Sequence, residues 1–242
     1  MRVKRTIPIL LIFLLTILFV ATLNIKVSTM QGVNYRAALI KIPLYLKILD
    51  FFDRHYNYKA LVMRITEGAR TDEEKVLKIF AWTQSHIKPQ PQELPVVDDH
   101  VWHIIVRGYG AGEQSSDVFA TLCNYAGARA AYGWCYLQPE TKPIVLVFVF
   151  INGQWRVFDL LRGNFFCLKS TDSLAGIEDV RSGNWRVVNV NTSGNTDFEY
   201  TPYFRNINFS GEKFRRSALQ KPFSRFWFML MRKLGGVNAD SF

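Results

Sequence analysis

The sequence predicts an α+β fold, with helices packed on an antiparallel sheet and one N-terminal transmembrane helix carrying them. Three observations lead there. A run of 17 residues without a charge, residues 7–23, follows a basic start and reaches the lower limit for crossing a bilayer. Two amphipathic helical patterns come next, one opened by Thr71-Asp-Glu-Glu74 and one beginning at Glu113. Beyond them lie apolar runs of strand length, two of which flank Asn152-Gly153, the dipeptide that a type I′ hairpin turn requires.

Taken in order, residues 1–25 read as a signal anchor. The apolar run is long for a cleavable leader, and Asn24-Ile-Lys-Val-Ser lacks a small-x-small cleavage site. Arg2, Lys4 and Arg5 then stay in the cytoplasm by the positive-inside tendency. The expectation is a single-pass membrane protein with its domain on the extracytoplasmic (periplasmic) side. Residues 35–204 form that domain, with its core over 67–160, and residues 205–242 form a basic, aromatic C-terminal segment.

Within the domain, residues 35–56 carry Leu, Ile and Phe at helical spacing. The second helix starts where Thr71 can cap the backbone and Glu74 can reach back. It buries Val76, Ile79, Phe80, Trp82 and Ile87, and Pro89 and Pro91 end it. The short apolar run 101–106 is expected as a strand leading into a glycine-rich loop, Gly108-Tyr-Gly-Ala-Gly112. From Glu113 a helix points Val118, Phe119, Leu122 and Cys123 inward and stops at Gly127. Strands follow at 128–137, 144–151 and 155–160, then at 185–190 and 198–203.

Charge narrows the function classes. The chain carries a formal +10, yet residues 1–5 and 205–242 hold 11 Lys/Arg against 2 Asp/Glu, whereas the body holds 19 against 18. A nucleic-acid binder needs a basic stripe on its folded face, so no nucleic-acid partner is expected. Basic ends suit anionic lipid, and a membrane is the expected partner surface. In the tail, Arg225 and Arg232 alternate with Phe223, Phe226, Trp227 and Phe228. That composition fits either an interfacial segment or a helix packed on the domain with a solvated basic face. Three cysteines, Cys123, Cys135 and Cys167, show no CxxC or metal-ligand spacing, so neither a disulfide framework nor a zinc site follows and no cofactor is expected.

The order of helix, glycine loop, helix, strand and a hairpin ending in Trp155-Arg-Val-Phe-Asp159 resembles the transglutaminase-like superfamily, which has the papain-like cysteine-protease fold. The resemblance covers about residues 67–159. It implies a nucleophilic cysteine at the helix start, fifteen residues before the glycine of a Gly-Ala-Arg step. Here Gly127-Ala-Arg129 supplies that step, and the nucleophile position is Gly112. The family's histidine opens the strand nine residues before the hairpin glycine; that position is Ile144, while Asp159 stands at the family's aspartate. The three groups of such a triad act as one unit, and neither glycine nor isoleucine can supply its part.

The resemblance therefore implies a pseudoenzyme, with Gly112, Ile144 and Asp159 as relic positions. Asp159 can equally cap the turn at Leu161-Arg-Gly163. Fallback candidates for chemistry are Ser115, Ser116 and Cys135 as nucleophiles, with His100 or His103, beside Asp98 and Asp99, as bases. Tyr109, Glu113, Gln114 and Trp155 are the candidate ligand-binding residues around the old groove. The preferred function is a membrane-anchored, catalytically degenerate module that binds a peptide, glycan or protein partner. The alternatives are an acyl-transfer enzyme or protease with a displaced nucleophile, and a structural component of an envelope polysaccharide or secretion assembly.

Overall fold

The structure, a computed structural model, describes residues 3–31, 38–96, 100–137, 142–190, 197–209 and 217–234. Asp98, Asp99, Lys213, Arg215 and Arg216 lie outside the described residues. The chain divides into two compact units, Met1–Arg54 and His55–Phe242.

In the first unit, helix α1 spans Val3–Leu23, and its described side chains, from Leu10 onward, are almost all apolar and exposed. Among the described residues no helix is long and apolar enough to cross a membrane. Residues 10–23 of α1 rise only about 21 Å. Strands β1 (Lys26–Gln31) and β2 (Ala38–Pro43) pair antiparallel, from Lys26 opposite Pro43 to Gln31 opposite Ala38. This corrects the single helix expected over 35–56. Pro43 biases Ile42 toward the extended region, and β1 supplies a ladder for the backbone of β2. Helix α2 (Leu44–Ile65) starts only after that proline, where the Leu44 N–H donates to the Ile25 carbonyl at 2.9 Å.

The second unit takes the later turns of α2, from which Tyr58 and Val62 are buried. Helix α3 (Asp72–His86) begins as expected: Thr71 Oγ1 accepts from the Glu74 N–H at 3.1 Å. The Glu74 carboxylate reaches back one residue further than a standard box, to the Arg70 N–H at 2.7 Å. Strand β3 (Lys88–Pro89) pairs in parallel with β4 (Tyr109–Gly110), and between them runs helix α4 (Val101–Arg107). The strand expected at 101–106 is thus a helix. Val101, Ile104 and Ile105 are its buried residues, and that i, i+3, i+4 spacing buries one helical face where a strand would bury alternate residues. The Gly108 left-handed cap closes it.

Helix α5 (Gly112–Tyr125) is buried from Gln114 to Asn124 and forms the middle of the domain. Gly127, at φ 97°, turns the chain into the sheet. That sheet runs β5 (Ala130–Cys135), β6 (Ile144–Ile151), β7 (Gln154–Asp159), β8 (Asn164–Cys167) and β9 (Arg186–Asn189) in spatial order, antiparallel throughout. Asn152 and Gly153 take φ 50° and 81°, the left-handed pair that the type I′ turn needs. Helix α6 (Ile177–Ser182) precedes β9, and α7 (Thr201–Arg205) follows it.

Strand periodicity splits the core between the two sheet faces. Val147, Val149, Ile151 and Phe158 join Phe119 and Leu122 of α5 and Phe80 of α3. On the other face Ile144, Leu146, Phe148 and Val157 join Val180 of α6 and Phe204 of α7. The strand expected at 198–203 is therefore replaced by α7. Pro202 suits the first helical turn, and Tyr200 and Phe204 stack on each other and pack edge-on against Phe166, with Phe198 edge-on against Tyr200, instead of alternating across a sheet. A 3-10 turn, Ala218–Gln220, leads to helix α8 (Pro222–Lys233).

Candidate functional site

The site is assembled at the N-terminus of α5. Arg107, in the last turn of α4, donates through Nε to the Tyr109 carbonyl at 2.9 Å and through Nη2 to Gln114 Oε1 at 2.9 Å. The same Gln114 oxygen accepts the Ala111 N–H at 3.1 Å. One amide thus braces both ends of the glycine loop. Gly110 is sterically tight: a Cβ there would lie 3.0 Å from Gln114 Oε1 and 3.2 Å from Ile104 Cγ2, so both side chains would have to give. Gly112 is not. A Cβ on Gly112 would meet Leu161 Cδ1 at 3.4 Å, an ordinary contact, so the position has room for a Cβ and carries none.

Ser115 and Ser116, the nearest hydroxyls in sequence, both donate back to the Gly112 carbonyl at 2.9 Å. That is the helix-internal bonding of N-terminal serines, and it directs each proton at a backbone acceptor. Ile144 is buried in the cluster on the α6 and α7 side of the sheet, the face opposite to that of α5, so the structure does not bring it to Gly112 as the resemblance implied. Cys135 is its direct partner across the β5–β6 ladder, and burial pushes that thiol up to about 12. Burial also raises Cys123 and Cys167, and all three are free thiols. A thiol so raised holds almost no thiolate at neutral pH. His100 caps α4, with its ring 5.5 Å from that of His103, on the helix that replaces the expected strand. Among the described residues no cluster of three or more His, Cys, Asp or Glu could hold a metal ion.

Asp159 is fully buried and its carboxylate is occupied. Oδ1 accepts the Arg162 N–H at 3.2 Å, which caps the turn after β7. Oδ2 accepts from Arg162 Nη1 at 2.8 Å and from the Tyr200 hydroxyl at 2.7 Å. The Tyr200 oxygen in turn accepts from Asn164 Nδ2 at 2.8 Å, and Asn189 donates to Asn164 Oδ1. Burial, then the Asp159 charge, raises Tyr200 far above its ordinary value. The Arg162 guanidinium also lies 3.6 Å over the Phe198 ring. Tyr200 and Asn164 gave no signal in the sequence, because Tyr200 meets Asp159 across 41 residues.

Among the expected ligand-binding residues, Tyr109 and Glu113 are half-buried at the start of α5, and Gln114 is buried as the loop brace. Trp155 stands elsewhere. It packs edge-on against Phe150 and Phe209 as part of the cluster on the other sheet face, with Arg129 over its ring. Trp102 packs on Tyr58 in the α5-side cluster. The two tryptophans belong to opposite sides of the sheet and do not line one cleft. The exposed side chain nearest to a Cβ on Gly112 is Leu161, which the sequence did not single out.

The family model of the Transglutaminase-like superfamily matches residues 59–160. The chain carries a transglutaminase-like core. The match spans α3, α5 and the β6–β7 hairpin, and so includes Gly112, Ile144 and Asp159. Three solved structures are similar to parts of the chain. The first is provisionally described as a protease from Parabacteroides distasonis, 15% identical with a TM-score of 0.37, over 58% of this chain and 27% of that one. The second is provisionally described as a cysteine protease from Cytophaga hutchinsonii, 15% identical with a TM-score of 0.38, over 64% and 55%. The third is described as a TGase, 13% identical with a TM-score of 0.36, over 60% and 46%. The chain spans less than two thirds of the length of each. No curated protein matches it.

Proposed function

We propose that this transglutaminase-like protein is a membrane-anchored, catalytically degenerate member that binds a peptide, glycan or protein partner outside the cytoplasm. The degenerate reading rests on residue identity: the counted nucleophile and histidine positions hold Gly112 and Ile144, Ile144 is buried on the sheet face away from α5, and the Asp159 carboxylate is taken up by Arg162 and Tyr200. Space at the Cβ does not force the glycine, since a Cβ there meets only Leu161 at ordinary contact distance. The displaced-nucleophile alternative draws no support from Ser115 and Ser116, whose hydroxyls face a carbonyl, or from Cys135, whose thiol is held protonated. Partner contact at the old groove then falls to Tyr109, Glu113 and Leu161, the half-buried and exposed groups at the helix start. Anchoring is supported by the exposed apolar side chains of α1 and by the uncharged run 7–23.

The test is acyl transfer from a glutamine-containing peptide to hydroxylamine, measured on the full chain and on the Gly112→Cys/Ile144→His double variant. The expected result is no product from the wild type. Wild-type product above the protein-free blank overturns the degenerate reading. Flotation of the full chain with neutral phosphatidylcholine vesicles tests the anchor, and a chain that stays at the bottom of the gradient overturns it.

A further inference from the structure

Cations gather around one tyrosine at the far end of α5. Tyr125 closes that helix, about 20 Å from Gly112 along its axis. The Tyr125 hydroxyl donates to the Gln220 carbonyl at 3.0 Å, and His55 Nδ1 lies 2.9 Å from the same hydroxyl oxygen. A phenol has one proton to give, so the histidine donates here, and the lone pair of the neutral ring sits on Nε2. Lys59 follows His55 by one helical turn of α2, so the two share one side of that helix. Lys221 brings Nζ to 5.7 Å from the centre of the Tyr125 ring. All of these residues belong to the second unit; His55, Tyr125 and Lys221 are half-buried, and Lys59 is exposed.

Among the described residues no carboxylate answers this charge. Neither Lys59 nor Lys221 enters a salt bridge there. Asp53 and Asp50 lie about 160° and 140° around α2 from His55, and Arg225, one turn on from Lys221, adds a cation. Burial lowers Lys221, and Lys59 lowers it further; burial, then Lys59 and Lys221, lowers His55. At neutral pH the imidazole is therefore uncharged beside two ammonium groups. A half-buried cation ordinarily has a counter-charge, because lost hydration is otherwise unreturned. One carboxylate would leave one ammonium unmatched. A phosphomonoester carries close to two negative charges and three acceptor oxygens, which suits both lysines at once. We infer that His55, Lys59 and Lys221 form a binding site for a phosphomonoester, either free or as the headgroup of a phospholipid. The site stands at the opposite end of α5 from the old groove and is independent of the degenerate reading.

The experiment follows the imidazole resonances of the full chain by NMR in neutral detergent micelles, with inorganic phosphate as the probe and chloride at equal ionic strength as the control. His55→Gln identifies the His55 signal among the four histidines, and exposed His86 is the internal reference. Millimolar phosphate is expected to displace the His55 signal and raise its pKa, because an anion beside the ring favours the imidazolium, while His86 stays in place. Lys59→Gln/Lys221→Gln should start from a higher His55 pKa, two lowering charges being gone, and should bind phosphate about tenfold more weakly or worse. Lys59→Gln alone changes an exposed side chain, so it serves where the double variant does not fold, and it should weaken the response in the same direction. A response to inorganic phosphate assigns a free phosphomonoester. A response only when phosphatidic acid is mixed into the micelles assigns the lipid headgroup. A His55 signal that moves with neither probe beyond the chloride control overturns the site, and so does a shift that survives unchanged in the lysine variants.

Discussion

Replacing Asp159 by asparagine tests whether this carboxylate is structural. Three donors converge on it: the Tyr200 hydroxyl at 2.7 Å, Arg162 Nη1 at 2.8 Å and the Arg162 N–H at 3.2 Å. The Asp159 side chain has no solvent exposure and that of Arg162 has 21%, so the carboxylate cannot exchange its bonds for water while the guanidinium partly can. An amide keeps one acceptor oxygen and turns an NH2 toward a donor. It removes a charge-assisted bond worth about 1.5–3 kcal/mol and leaves a buried donor unmet at a further cost of about 1–3 kcal/mol, less what Arg162 regains from water. The expected destabilisation is about 3 kcal/mol, which lowers the urea midpoint by about 1–2 M. Urea unfolding followed by tryptophan fluorescence reads it, because Trp185 packs on Phe204 beside Tyr200. Combining Asp159→Asn with Tyr200→Phe should show a coupling of about 1 kcal/mol or more. A midpoint that moves by less than about 0.3 M, equivalent to well under 1 kcal/mol, refutes the structural role.

Gly112→Ala should fold and gain about 0.5 kcal/mol, since the added methyl meets only Leu161 and glycine is the poorer helix former; a loss of stability in the same urea titration counts against the room inferred there. A thiol reagent at pH 8 should label none of Cys123, Cys135 and Cys167 in the folded chain and all three after denaturation, read by mass spectrometry, because burial raises each thiol; prompt labelling of Cys135 reopens a nucleophilic role. Tyr200 is raised in the folded state, so its contribution is complete below the ordinary value of 10.0 and is lost as pH rises above it, when the unfolded chain ionises first. Urea midpoints should therefore fall above about pH 10, and by less in Tyr200→Phe; equal falls remove this residue from the account.

Local chemistry was legible before any coordinates. The Thr71 cap, the α5 limits, the Asn152-Gly153 turn and the β6–β7 hairpin each follow from a few adjacent residues whose backbone needs are their own. The expectation for Gly112, Ile144 and Asp159 came from counting along the chain from a hairpin glycine and a Gly-Ala-Arg step. The errors share a cause. Residues 38–43 and 101–106 are short, mostly apolar runs and 198–203 a short aromatic–polar one, and periodicity over six residues cannot choose between helix and strand; the choice fell to β1, to the face beneath α4 and to the aromatic cluster around Phe166.

The sequence alone determined that a transglutaminase-like core stands here, because a glycine loop, a helix pattern and a hairpin turn at fixed spacing are properties of the chain. Only the tertiary structure decided what Asp159 does and where the aromatic residues point. Its partner Tyr200 lies 41 residues away, and Trp155 and Trp102 are separated by the thickness of a sheet. Such pairings depend on which surfaces meet, and no local spacing along the chain records them.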